Sequence, residues 1–145
     1  MKQNLNKFLP IQYGSDNVSI IKRYQNYKKH KDIKKLKPVI IIPARYESTR
    51  LPGKPLKIIN GTSMLQRTYE RCIQALPEQD VYIATDNIKI EKHCRDFNAN
   101  VLMTATSCLT GTDRIAQASK HIECDVVINV QGDEPIINPV DIRKV

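Results

Sequence analysis

The hydrophobic pattern of the chain changes character at residue 39. From there, short apolar runs alternate with stretches of helical periodicity. Val39-Ile40-Ile41-Ile42 is a continuous β-branched run, the pattern of a strand buried on both faces of a parallel sheet. It stops at Pro43, and a loop rich in polar and cationic residues follows. Asn60-Gly61 marks a turn, and Thr62 or Ser63 is placed to cap a helix running to about Ala75. Met64, Leu65, Thr68, Cys72 and Ile73 are expected on its sheet-facing side. Val81 to Ala84 reads as a second strand, 87–96 as a short helix, 100–104 as a third strand and 112–120 as a further helix. Val126 to Val130 is a fourth, strongly apolar strand. Strands alternating with helices imply βαβ units, a parallel sheet and right-handed crossovers with helices on both faces: the α/β class.

Before residue 39 the pattern is weaker. Ile20, Ile21, Tyr24 and Tyr27 suit one face of a short helix, but Lys28-Lys29-His30-Lys31 interrupts it. Charge separates the two parts more sharply. Residues 1–38 carry nine Lys and one Arg against two Asp, which is the whole of the chain's +8, whereas residues 39–145 carry 13 basic and 13 acidic side chains. The expected organisation is therefore a basic N-terminal extension, 1–38, read as mobile, and a folded unit, 39–145. A basic total invites a nucleic-acid reading, but the charge is confined to the extension, so a nucleic-acid partner is not expected of the fold.

No apolar run approaches the roughly 20 residues of a membrane span, and the N-terminus lacks the apolar core of a secretory signal. The four cysteines, Cys72, Cys94, Cys108 and Cys124, form no CxxC pair. They are expected to be reduced thiols of a cytoplasmic protein. His30, His93 and His121 are too scattered for a zinc site.

The loop after the first strand carries the candidate chemistry. Ligands in open α/β sheets bind beyond the carboxyl ends of the strands, and this loop offers Arg45, Arg50 and Lys54 there. It is neither a Walker A motif, since Gly53-Lys54 is followed by Pro55, nor a GxGxxG fingerprint. Arg45 provides a planar fork for phosphate oxygens and Lys54 a compact charge; Arg50 has Glu47 as an alternative partner. Small Ala44 would let the loop backbone approach a ligand. At the end of the fourth strand, Gln131-Gly132-Asp133-Glu134-Pro135 places a carboxylate where a hard cation or a helix N-terminus would use it. Gly111-Thr112 opens a helix whose first amides are available to an anion, and Asp86, ending the second strand, reads first as a turn or cap residue.

PARYESTRLPGKPL, VYIATD, GTDR and NVQGDEP, in that order, resemble the motifs of the 3-deoxy-manno-octulosonate cytidylyltransferase (CMP-Kdo synthetase) family, and the resemblance covers residues 39–145. The related sialic-acid enzymes have a loop closer to PARGGSKR. The resemblance implies a Rossmann-like, GT-A-like nucleotidyltransferase, a three-layer sandwich with parallel strand order 3-2-1-4. It implies the reaction of CTP with Kdo to give CMP-Kdo and diphosphate, for lipopolysaccharide biosynthesis, with Mg²⁺ as cofactor. Arg45 and Lys54 become the expected catalytic cations. Ala44, Arg45, Arg50, Lys54, Gly111, Thr112, Arg114 and Gln131 become the expected CTP contacts, and Asp133 the metal ligand. Cys108-Leu109-Thr110 departs from the family's His-x-Ser, replacing an imidazole with a thiol. Residues 39–145 then correspond to the CTP-binding half. The sugar pocket, a second metal carboxylate and the family's homodimer surface are expected to lie outside them, so that the chain reads as a truncated and inactive form. The competing expectations are a cytidylyltransferase for another acidic sugar and a non-catalytic nucleotide- or RNA-binding remnant.

Overall fold

The computed structural model describes residues 36–47 and 51–145. The extension up to Lys35, with the Ile20–Tyr27 face, and Ser48, Thr49 and Arg50 lie outside the described residues.

Strand β1, Pro38–Pro43, is an interior strand of the main sheet. Val39, Ile40, Ile41 and Ile42 are all completely buried. Alternation sends them to opposite faces, as the pleat requires. Ile40 and Ile42 join a core with Leu65, Tyr69 and Cys72; Val39 and Ile41 join a second one with Ile115 and Ala118. Each such side chain contributes about 1.5–3 kcal/mol relative to exposure.

After β1 a short 3₁₀ turn, Lys54–Leu56, leads into a small hairpin of β2, Ile58–Ile59, and β3, Thr62–Ser63. Asn60 and Gly61 turn it with φ of 48° and 81°, the left-handed pair that two-residue hairpins favour. Helix α1, Met64–Ile73, starts at Ser63, whose hydroxyl accepts from the Gln66 amide at 3.1 Å. Its buried face is Leu65, Thr68, Tyr69 and Cys72. Met64 and Ile73 are only half-buried at its ends, and Tyr69, absent from the expected face, takes the central place against Phe97.

Then follow β4, Val81–Thr85, helix α2, Ile88–Arg95, β5, Asn100–Met103, helix α3, Gly111–Ser119, β6, Val126–Asn129, and the single turn α4, Pro139–Ile142. The main sheet runs β5-β4-β1-β6, all parallel. In terms of the four strands expected from sequence this is the order 3-2-1-4. Helices α1, α2 and α4 supply the core on one face and α3 on the other, which makes three layers. Strand β6 is an edge among the described residues and is correspondingly less covered, with Val126 exposed. No helix of the described residues is long and apolar enough to cross a membrane.

All four cysteines are free. Burial pushes the Cys72 and Cys94 thiols up to about 12, with help from Glu134 for the first and from Glu91 and Asp96 for the second. Burial and Asp125 also raise Cys124, against Lys37. Since the thiolate is the reactive form, a disulfide reagent at pH 8 is expected to label half-exposed Cys108 first and to reach Cys72 and Cys94 only on unfolding. Labelling of all four at one rate in the native protein would contradict this burial.

Candidate nucleotide site

The site lies at the carboxyl end of β1, on the border with β6, where the strand order reverses. The backbone there is pinned from three sides. The Ala44 amide donates to the Ala84 carbonyl at 2.9 Å, which holds the start of the loop to β4. The Gly53 amide donates to the Tyr46 carbonyl at 2.8 Å and closes the loop on itself. Gly53 does so with φ 67°, and a β-carbon there would stand 3.3 Å from the Tyr46 ring. Lys89 of α2 places its ammonium 4.9 Å from the centre of that ring, a cation–π contact that ties the loop to the helix.

Two adjoining cavities open on this loop and share Arg45 and Glu47. The one toward β6, about 690 Å³, is lined by Ala44, Lys54, Gln131, Gly132 and Asp133 among others. Lys54 and Asp133 meet across it: Nζ donates to Oδ2 at 2.5 Å, with both side chains partly exposed. Gln131 donates to Asn129 at 2.8 Å, and Gly111 packs behind it, where a β-carbon would come 3.6 Å from the Gln131 side-chain oxygen. Five of the residues expected from sequence, Ala44, Arg45, Lys54, Gln131 and Asp133, therefore line one cavity although up to 89 positions separate them.

The other cavity, about 650 Å³, is lined by Tyr46, Asp86, Asn87, Thr106, Cys108 and Arg114 with the shared loop residues. Arg45 bridges toward it by donating to the Leu109 carbonyl at 2.7 Å. Cys108 leans its thiol on the Gln117 side-chain oxygen at 3.2 Å.

Two expected residues, Arg114 and Thr112, stand differently from the sequence reading. Arg114 is completely buried. Its guanidinium donates to Asp86 at 2.7 Å and to the Thr104 hydroxyl, while its Nε has no partner. It is thus an internal ion pair at the floor of the cavity, with its terminal nitrogens already engaged. Asp86, read as a turn residue, is its counter-ion. Thr112 is exposed in the first turn of α3 and lines neither cavity. Arg50 lies outside the described residues. Sequence reading also passed over Tyr46 and Lys89 as site residues; the signal for Tyr46 was its place seven residues before a glycine that the turn requires.

Helix α3 begins with a reciprocal cap: the Thr110 hydroxyl accepts from the Asp113 amide at 3.1 Å and the Asp113 carboxylate accepts from the Thr110 amide at 2.9 Å. The Thr110 hydroxyl also donates to the Asp113 carboxylate at 2.7 Å, and that bond, with the one from the Thr110 amide, holds Asp113 below its usual 3.8. The cap therefore supports the helix above that pH and is lost as pH falls through the lowered value. It leaves the Gly111 and Thr112 amides, the first in the helix, for another acceptor.

Asp133 is not a helix cap; Asn138 caps α4. Among the described residues no three His, Cys, Asp or Glu side chains cluster to form a metal cage. Asp133 instead offers partly exposed carboxylate oxygens to the β6-side cavity. That suits a Mg²⁺ ion that takes one protein carboxylate and completes its shell with phosphate and water.

The model of the cytidylyltransferase family matches residues 39–145. A 3-deoxy-manno-octulosonate cytidylyltransferase of Hydrogenovibrio crunogenus is 47% identical over 113 residues, 76% of this chain and 46% of the relative. An 8-amino-3,8-dideoxy-manno-octulosonate cytidylyltransferase of Shewanella pealeana is 44% identical over 108 residues, 72% of this chain and 44% of the relative. Among solved structures, a CMP:2-keto-3-deoxy-manno-octonic acid synthetase complexed with CTP superimposes with a TM-score of 0.72 at 44% identity, covering 74% of this chain and 45% of the other. The chain spans about half the length of the curated relatives it matches.

Proposed function

Because the chain belongs to the cytidylyltransferase family, we propose that residues 39–145 bind CTP and carry the nucleotide half of a reaction that joins it to 3-deoxy-manno-octulosonate, giving CMP-Kdo and diphosphate. The observation that carries this reading is the convergence of Lys54, Arg45 and Asp133 on one cavity at the β1–β6 border. The relative of similar fold was solved with CTP. The names of relatives at 45–48% identity supply the sugar.

Nucleotidyl transfer brings an acceptor oxygen against a polyanion and releases diphosphate, so its barrier falls with charge neutralisation and alignment. In this reading Lys54 neutralises charge on the triphosphate oxygens. Arg45, fixed by the Leu109 carbonyl, keeps its remaining donors for a phosphate or ribose oxygen. Ala44 keeps the loop backbone within reach of the nucleotide and Gln131 offers an amide to it, while the Gly111 and Thr112 amides, which line neither cavity, are helix-start donors beside Gln131. Arg114 acts from beneath, holding Asp86 and the β5–α3 connection in place. Asp133 would hold Mg²⁺, which when bound offsets triphosphate charge and orients the leaving diphosphate. Cytoplasmic location and a role in lipopolysaccharide precursor synthesis belong to the same proposal, as does a homodimer built on surfaces other than these.

Calorimetric titration of the whole chain tests it. CTP is expected to bind in preference to ATP, weakly, and more tightly with Mg²⁺ present. Equal affinity for both nucleotides would remove base selection from this half. Tight, salt-sensitive RNA binding that disappears on deletion of residues 1–38 would favour the binding-module reading instead.

A further inference from the structure

The two groups to which the nucleotide reading gives different partners, Lys54 for phosphate and Asp133 for metal, are bonded to each other at 2.5 Å. The Oδ2 oxygen that accepts the ammonium proton is not open to a divalent cation, and the adjacent positive charge weakens the hold of the remaining Oδ1 on one. The pair joins residues 79 positions apart across the cavity floor, so it is set by the fold and not by local chain geometry.

We infer that Lys54 is an internal counter-ion for Asp133 that competes with the divalent cation for its carboxylate until a triphosphate draws the ammonium away. The inference rests on the reading of Asp133 as metal ligand and Lys54 as phosphate ligand. The flexible four-carbon stem of Lys54 and its three rotating donors allow the transfer from carboxylate to phosphate; a rigid guanidinium fork would hold the carboxylate in two places at once. Arg45, in the same cavity, has no such exchange to make, since its bond is to a backbone carbonyl. Nucleotide and cation then bind as a linked pair. Each raises the affinity of the other by one common factor, as linkage requires. Part of that factor comes from direct phosphate–metal bonds, and part from the release of Asp133.

The test uses Mn²⁺ as the probe, with free ion followed by electron paramagnetic resonance, on the whole chain and with or without CTP. Lys54→Met is expected to bind Mn²⁺ alone about three- to fivefold more tightly than the unaltered protein, the range an exposed pair supports. The factor by which CTP raises Mn²⁺ affinity should shrink by the same amount. Lys54→Gln, which keeps a donor but no charge, should move both values in the same direction and serves if the first variant does not fold. Arg45→Met removes a cation of the same cavity that is not bonded to Asp133, and should leave the affinity for Mn²⁺ alone within about twofold. Unchanged Mn²⁺ affinity in both Lys54 variants overturns the inference. So does an equal rise in Arg45→Met, which would mark general cavity charge. Asp133→Asn separates the two levels. If it abolishes Mn²⁺ binding while Lys54→Met has no effect, the metal assignment stands and only the exchange falls. If it binds Mn²⁺ as the unaltered protein does, the metal assignment itself is wrong and the exchange falls with it.

Discussion

Asp86→Ala is expected to destabilise the fold by about 3 kcal/mol or more, the scale measured when one partner of a buried ion pair is removed. The substitution leaves Arg114 completely buried with its charge uncompensated. Only the Thr104 hydroxyl would remain for a guanidinium whose Nε is already without a partner. Asp86 is one-fifth exposed and lines the cavity, so water entering the vacated space can offset part of the loss and holds it near the low end of that scale. Against a typical total of 5–15 kcal/mol this is a large fraction, and urea titration should show it as a lower midpoint with an unchanged slope. Arg114→Met combined with Asp86→Leu should recover much of the loss, because it removes both charges and fills the space with apolar atoms. A single substitution costing under about 1 kcal/mol would mean that the pair sits in an environment far wetter than the burial of Arg114 indicates.

That ion pair also shows where sequence reading stops. Arg114 follows Gly-Thr-Asp at a helix start, and it was the resemblance, not the pattern of residues, that made it an expected CTP contact. Its counter-ion is 28 residues away at the end of another strand, and no periodicity links them. The same holds for Lys54 and Asp133. Each could be named from its own motif, but their direct bond depends on β1 and β6 being neighbours. By contrast, the burial of β1 was legible because four β-branched residues in a row admit few other environments. The hairpin turn was legible because Asn-Gly is the preferred pair for left-handed turn positions. Its strands were not, since two residues each are too few to display alternation. Tyr69 was missed on α1 because an apolar stripe was drawn through Met64 and Ile73, the helix ends, where tertiary cover runs out. The strand order came through the resemblance and not through the pattern of residues. The four-strand sheet at last gave the loop after β1 and the loop after β6 a common rim, which is the condition for any of the candidate residues to act together.

Gly132→Ala should disable the site more than any charge-neutral change elsewhere in the loops. Gly132 lies between the end of β1 and helix α1. A β-carbon there would stand 3.0 Å from the Pro43 carbonyl oxygen and 3.4 Å from the Leu65 methyl. Neither neighbour can retreat freely, since Pro43 ends the central strand and Leu65 is completely buried. The Thr68 hydroxyl, 3.3 Å from the Gly132 carbonyl, fixes the same residue from the helix side. The added methyl must therefore shift the Gln131–Asp133 segment away from β1 by a few tenths of an ångström, at a cost of about 1–3 kcal/mol for overpacking. Asp133 moves with it, away from Lys54 and from the cavity that both line. Loss of one well-placed charged contact is worth about 1.5–3 kcal/mol, so CTP affinity in the presence of Mg²⁺ should fall by at least about tenfold. Gly61→Ala is the control. Its φ of 81° makes a side chain costly there, about 1–2 kcal/mol, but nothing lies within 4 Å of the new carbon and the hairpin is outside both cavities. It should lower the melting temperature comparably while leaving CTP affinity unchanged. Titration calorimetry on the two variants, beside thermal melts, separates loss of stability from loss of site geometry. Wild-type affinity in Gly132→Ala would show that the position of Asp133 is not set by the close approach of its loop to β1.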